Sequence, residues 1–151
     1  MKYKHIVFDI DGTLIDTEYA VINSLIKTIT EITGRAPQYE SLKFALGITG
    51  RNALEYYSDF EPLGLADYFS TIVCADDTDE HKPQAAPLVA YLAKAHVSPE
   101  NALYIGDSIY DIQCANNAGV DSGLVLWSNN VSNPIRADYY FKTPNDISKI
   151  L

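Results

Sequence analysis

Apolar positions follow two rhythms along the chain. Short continuous apolar runs bounded by glycine, proline or acids predict buried strands over Tyr3–Ile10, Thr71–Cys74, Ala102–Ile105, Ser122–Trp127 and Ala137–Phe141. Between them, apolar residues recur at helical spacing. Val21, Ile22, Leu25, Ile26, Ile29 and Ile32 predict a helix capped by Asp16 or Thr17, with Glu18 in its first turn. Gly34 ends it, with Pro37 just beyond. Pro87 opens a second helix through Leu88, Leu92 and Ala95, and Ser98-Pro99 predicts a short capped turn. A third helix runs from about Tyr110 to Ala118 and stops at Gly119; a last one covers Asn145–Leu151. Strands alternating with helices imply an α/β fold, a parallel sheet with helices on both faces.

One stretch keeps two readings. Over Gln38–Tyr57, Phe44, Leu46 and Ile48 alternate as in a strand that ends at Thr49-Gly50-Arg51, with a helix from Asn52 to about Pro62. Leu42, Ala45 and Leu46 equally suit a helix over Glu40–Leu46, with another over Asn52–Tyr57. Leu63-Gly64-Leu65 closes this region, and Ala66-Asp67-Tyr68-Phe69 forms a connector.

The length of 151 residues fits one domain with a full core, and a hydrophobic share of 47% fits a globular protein. A net charge of −9 argues against nucleic acid or an anionic membrane as partner. Cys74 and Cys114 are too few for a disulfide framework or a zinc site, and no apolar stretch approaches a membrane span. These features predict a cytoplasmic protein. Asp76, Asp77, Asp79 and Glu80 read as a solvated acidic loop, and the three histidines as scattered surface residues. Trp127 reads as core or sheet-edge packing.

Candidate chemistry sits where the strands end. Asp9 and Asp11 follow the first strand at alternate positions, then Gly12 permits a tight turn. Two close carboxylates require a shared proton or a cation. Gly106-Asp107-Ser108 repeats this arrangement, with Asp111 one turn into the following helix. Taken singly, Asp107 is a helix cap and Asp111 a surface acid. Together, four carboxylates from two strand ends form a hard oxygen set suited to Mg²⁺ and a phosphate. Lys82, before Pro83, is either a surface lysine or the positive charge such a site needs.

With these residues the chain resembles the haloacid dehalogenase-like (HAD) hydrolases, in particular their phosphoglycolate phosphatase and β-phosphoglucomutase-like branch. Asp9-Ile10-Asp11-Gly12-Thr13, His81-Lys82-Pro83 and Gly106-Asp107-Ser108-Ile109-Tyr110-Asp111 match three of its motifs in order. Leu65-Ala66-Asp67-Tyr68-Phe69 resembles its connector. The resemblance implies a Rossmann-like core and Mg²⁺-dependent hydrolysis of a small phosphorylated metabolite. Asp9 would be the nucleophile and Asp11 the acid and then the base. Asp9, Asp107 and the backbone oxygen of Asp11 would hold Mg²⁺, with Asp111 a ligand or an outer partner. Lys82 would hold Asp9 and the phosphate. Thr49, with Gly50, would be the second-motif phosphate contact if Leu42–Ile48 is a strand; otherwise that stretch belongs to the cap. Gly12 would also line the phosphate. The chain is too short between the first and second motifs for a full helical cap. Either a reduced cap covers about residues 17–41, possibly to 57, or a segment is absent. A phosphomutase and a non-catalytic HAD fold are the alternatives, and a monomer or weak dimer is expected.

Overall fold

The computed structural model describes residues 2–40, 42, 68–74, 77–128 and 135–150. Among the described residues four parallel strands form one sheet: β1 (His5–Phe8), β2 (Ala102–Gly106), β3 (Asp121–Val125) and β4 (Tyr139–Phe141), in that spatial order. Phe8 is level with Ile105, and Ile105 with Gly123, so the carboxyl ends of β1, β2 and β3 open at one edge. All five residues of β2 are buried, as expected of a parallel strand covered on both faces.

Alternation along β2 divides the core. Ala102 and Tyr104 pack with Leu88, Tyr91 and Leu92 of α2 (Ala86–Ala95) and with Cys114 and Ala115 of α3 (Ile109–Ala118). Leu103 and Ile105 pack on the other face with Tyr3, Val125 and Phe141, joined by Ile147 at the end of α4 (Pro144–Ile147). The long helix α1 (Glu18–Thr33) ends where Gly34 turns left-handed at φ 71° and donates its N–H to Thr30 O.

Several elements differ from the sequence reading. Residues 71–74 form no strand. Among the described residues β1 pairs only with β2, and a strand without a ladder partner does not form. Instead Thr71–Val73, with Tyr68 and Phe69, line a cavity of about 330 Å³ against β1. β4 begins at Tyr139 rather than Ala137 because the Asp138 carboxylate accepts from Ser122 N and Oγ, both at 2.8 Å, which replaces ladder bonding there. α4 is a single turn that begins one residue before the expected Asn145–Leu151 and ends well short of it, started by Thr143, whose N–H donates to Asp146 Oδ2 at 2.9 Å. Leu42 is buried in a 3₁₀ turn. The rest of the ambiguous stretch, including Thr49 and Gly50, lies outside the described residues. No described helix is long and apolar enough to cross a membrane.

Candidate active site

The site forms from two strand ends and one loop. β1 stops at Phe8, and the Asp9 N–H still donates to Ile105 O at 2.8 Å. The chain then folds on itself: the Ile10 carbonyl accepts from the N–H groups of Thr13, Leu14 and Ile15, and Gly12 N–H donates to Ile15 O. Gly12 takes φ 79°, where glycine carries no steric cost. A Cβ there would also collide with Asp107 Oδ2. The turn therefore brings the first motif against the second strand end.

β2 ends in the same way, at Gly106-Asp107. The capping role falls on Ser108, not Asp107. Ser108 Oγ accepts from the Asp111 N–H at 3.3 Å, and Ser108 N–H donates to Asp111 Oδ2 at 3.0 Å. Asp111 is not a surface acid; it is buried at 1% exposure. Its Oδ2 also accepts from Ser108 Oγ at 2.5 Å, and its Oδ1 from the buried Tyr104 hydroxyl at 3.1 Å.

Lys82 joins the two ends. Its Nζ donates to Asp9 Oδ1 at 2.7 Å and to Asp111 Oδ1 at 2.8 Å. A lysine that by itself reads as a surface residue is thus a part-buried bridge. One oxygen each of Asp9, Asp107 and Asp111 lies within 4.8 Å of the others. Asp11 is exposed, with its side chain outside that group. Of the three histidines expected at the surface, His96 is exposed, while His5 Nδ1 lies 3.2 Å from Tyr91 Oη and the Nδ1 of His81 is buried with no described partner.

Burial and neighbours set the charges. Burial, with the negative charges of Asp111 and Asp107, pushes the Asp9 carboxyl up to about 7, against the pull of Lys82. Burial also favours the neutral form of Asp111, but Lys82 and the Ser108 hydrogen bonds hold it below the usual carboxylate value. Burial opposes the charge on Lys82, and Tyr104, Asp111 and Asp9 outweigh it, holding the ammonium well above the ordinary lysine value. The result is a fixed cation, a fixed anion and one carboxylate poised near neutrality.

The residues fit a hard divalent cation. The donors are carboxylate oxygens, no sulfur or imidazole intrudes in the group, and Gly12 leaves open the space beside Asp107 that a side chain would fill. Beside it, Thr13 Oγ1 is buried with no described partner. Asp9 and Asp107 could hold the ion. Asp111 already uses both oxygens on Lys82, Tyr104 and Ser108, which places it as an outer partner.

Sequence reasoning missed Tyr104, Ser108 and Ser128. Tyr104 reads as one more apolar strand residue, and Ser108 as part of a turn. Ser128 follows β3 with no motif to mark it, yet its Oγ donates to Asp107 Oδ2 at 2.7 Å. Trp127 also does more than pack, since its Nε1 donates to Thr13 O at 3.1 Å.

Comparison with known proteins identifies the family and the fold. A family model described as haloacid dehalogenase-like hydrolase matches residues 6–62 and 58–125. A phosphoglycolate phosphatase of Aquifex aeolicus is 32% identical over 127 residues, covering 83% of this chain and 59% of that protein. The chain thus spans less than two thirds of that relative. The pyrophosphatase PpaX of Oceanobacillus iheyensis is 24% identical over 209 aligned positions, covering 100% of this chain and 98% of the relative. Because 209 positions exceed the 151 residues of this chain, that relative carries internal segments with no counterpart here. A HAD-superfamily hydrolase of subfamily IA from Geobacter sulfurreducens shares the fold with a TM-score of 0.78 at 21% identity, over 99% of this chain and 100% of the other. A putative β-phosphoglucomutase from Thermotoga maritima does so at 0.68 and 20%, over 97% and 99%.

Proposed function

Because the chain belongs to the haloacid dehalogenase-like hydrolase family, we propose that it hydrolyses a small phosphate monoester through Asp9. The observation that carries this reading is the Lys82 bridge: one ammonium within 2.8 Å of both Asp9 and Asp111, beside Asp107, at the mouth of the sheet.

The proposed roles are those the family resemblance implies, and the Lys82 bridge and the carboxylate cluster support them. Asp9 attacks phosphorus, and the bond from phosphorus to the ester oxygen breaks. Asp11, exposed at the mouth, gives its proton to the leaving alkoxide. Asp11 then takes a proton from water, which attacks the aspartyl-phosphate. Inorganic phosphate leaves and the Asp9 carboxylate is restored. Lys82 orients Asp9 through Oδ1 and offsets the charge of the entering phosphate. Asp111 fixes Lys82. Asp9, Asp107 and the backbone oxygen of Asp11 would hold Mg²⁺, which when bound neutralises phosphoryl charge. Gly12 lets the turn approach the phosphate. Thr49 and Gly50 remain the proposed second-motif contact.

We place a reduced cap at about residues 17–41, formed mainly by α1. The internal segments of the longer relative support a cap shorter than theirs. A short cap shields the intermediate poorly from water, which favours hydrolysis over phosphomutase chemistry. The protein would act in the cytoplasm as a monomer or weak dimer. The names of the relatives suggest phosphoglycolate and pyrophosphate as first substrates.

The test compares wild type with Asp9→Asn on p-nitrophenyl phosphate, phosphoglycolate and pyrophosphate, with Mg²⁺. Wild type is expected to turn over at least one, and the variant to fall by about 10³-fold or more. Equal near-zero rates on all three would overturn the reading and favour a non-catalytic fold.

A further inference from the structure

We propose that Ser128 is a positioning residue that presents the Asp107 carboxylate to the divalent cation. The inference rests on the reading that Asp9 and Asp107 hold Mg²⁺, and goes beyond it by giving β3 a part in the site.

Three observations meet at this point. Ser128 Oγ donates to Asp107 Oδ2 at 2.7 Å, a short charge-assisted bond. Asp107 is 3% exposed, so this bond forms where little water competes. The same Oδ2 faces Gly12: a Cβ on Gly12 would collide with it and stand 3.3 Å from Ser128 Oγ. The first-motif turn, the second strand end and Ser128, three residues beyond β3, therefore converge on one carboxylate oxygen.

Ser128 is itself held in place. It follows Trp127, whose indole Nε1 donates to Thr13 O at 3.1 Å, within the same turn. Trp127 also packs against the core face of Leu103, Ile105 and Val125. The segment after β3 is thus anchored to the sheet and tied to the first motif before it reaches Asp107. A carboxylate turns about its Cβ–Cγ bond, and a metal accepts it within a narrow range of orientations. The Ser128 hydroxyl removes that rotation in advance, so ordering it does not weaken the binding of the ion.

Ser128→Ala should weaken Mg²⁺ binding about tenfold, within the range usual for such outer contacts. Ser128→Thr keeps the hydroxyl and should retain most of the affinity. The measurement is isothermal titration of the metal-free full chain with MgCl₂ for wild type, Ser128→Ala, Ser128→Thr and Asp107→Asn. Thermal unfolding of each metal-free variant checks the fold, and the fluorescence of Trp127, the only tryptophan, gives a second titration. A tenfold weaker Ser128→Ala with a near-wild-type metal-free Tm, rescued by Ser128→Thr, supports the proposal. Wild-type affinity in Ser128→Ala, with binding lost in Asp107→Asn, overturns it and leaves the metal site standing. A Ser128→Thr variant as weak as Ser128→Ala, with its fold intact, also overturns it. No binding by wild type overturns both the metal site and the role of Ser128.

Discussion

The two strand ends carry the same local pattern and do opposite work. Each has a parallel strand, half-buried in β1 and buried in β2, an acid just after it and a second acid within a few residues. At the β2 end the second acid, Asp111, is buried and engaged through both oxygens by Lys82, Tyr104 and Ser108. At the β1 end, Asp11 stands exposed, and Asp9 has Lys82 as its one described side-chain partner. The consequence is a divergence in charge: Asp111 is held below the ordinary carboxylate value, while Asp9 is raised to about 7. A carboxylate surrounded by donors is a fixed anion that holds other groups in place. A buried carboxylate with one cation and two anionic neighbours is poised to react or to take a metal. The difference comes from what the following residues supply. Ser108 starts a helix and closes a capping box, whereas Gly12 turns the chain away and leaves the mouth open.

The largest expected effect comes from removing the cation shared by both ends. Lys82→Ala leaves two buried carboxylates facing each other. It should cost about 3 kcal/mol of stability in the metal-free protein and abolish activity. Denaturant unfolding reads the first and the phosphatase assay the second; unchanged stability would show that the bridge is not a structural element.

Asp11→Asn separates the two ends in the opposite sense. Asp11 is exposed, so stability should stay within about 0.5 kcal/mol. Turnover should fall on the order of 10²-fold or more, because a general acid is lost. A fall in stability without a fall in turnover would reverse the assignment.

A change of pH gives a smaller effect. Below about pH 7 the metal-free Asp9 carries a proton, and a neutral carboxyl is a poor ligand. Mg²⁺ affinity should therefore fall as pH falls, by about tenfold from pH 8 to pH 6, and level off above pH 8. Isothermal titration across that range checks the sign. Affinity that is flat with pH would mean that Asp9 is already ionised in the absence of metal.

The smallest effect lies at the far end of the sheet. Tyr3 Oη is 2.6 Å from Asp121 Oδ2, to which it donates, and 2.8 Å from Tyr139 Oη. Tyr3→Phe should cost about 1 kcal/mol in thermal unfolding and leave kcat/KM unchanged, because that cluster sits at the opposite ends of the strands. A change in kcat/KM would couple the two ends through β1.

Much of this was legible in the chain itself, and for a clear reason. Strand ends, helix spacing and glycine turns are local properties, so the core architecture and the places of Asp9, Asp11, Asp107 and Asp111 follow from order and pattern, whereas Lys82 stands out only through the resemblance of His81-Lys82-Pro83 to a family motif. The failures share a cause as well. Thr71–Cys74 has the composition of a strand, but a strand exists only with a partner. Ala137 and Asp138 were expected in β4, but a side chain took over the bonding.

The sequence by itself determined which residues can carry the chemistry and in what order they arrive. It did so because the Asp9/Asp11 and Asp107/Asp111 motifs each lie within a few residues of their own strand end, while Lys82 was marked by the resemblance of His81-Lys82-Pro83 to a family motif. Only the tertiary structure decided which acid is fixed and which is poised, since that depends on Lys82 crossing from one strand end to the other and on burial at both. It alone also brought Ser128, 21 residues beyond Asp107, onto that carboxylate. A hydroxyl without a motif gains meaning only from the atom it meets in space.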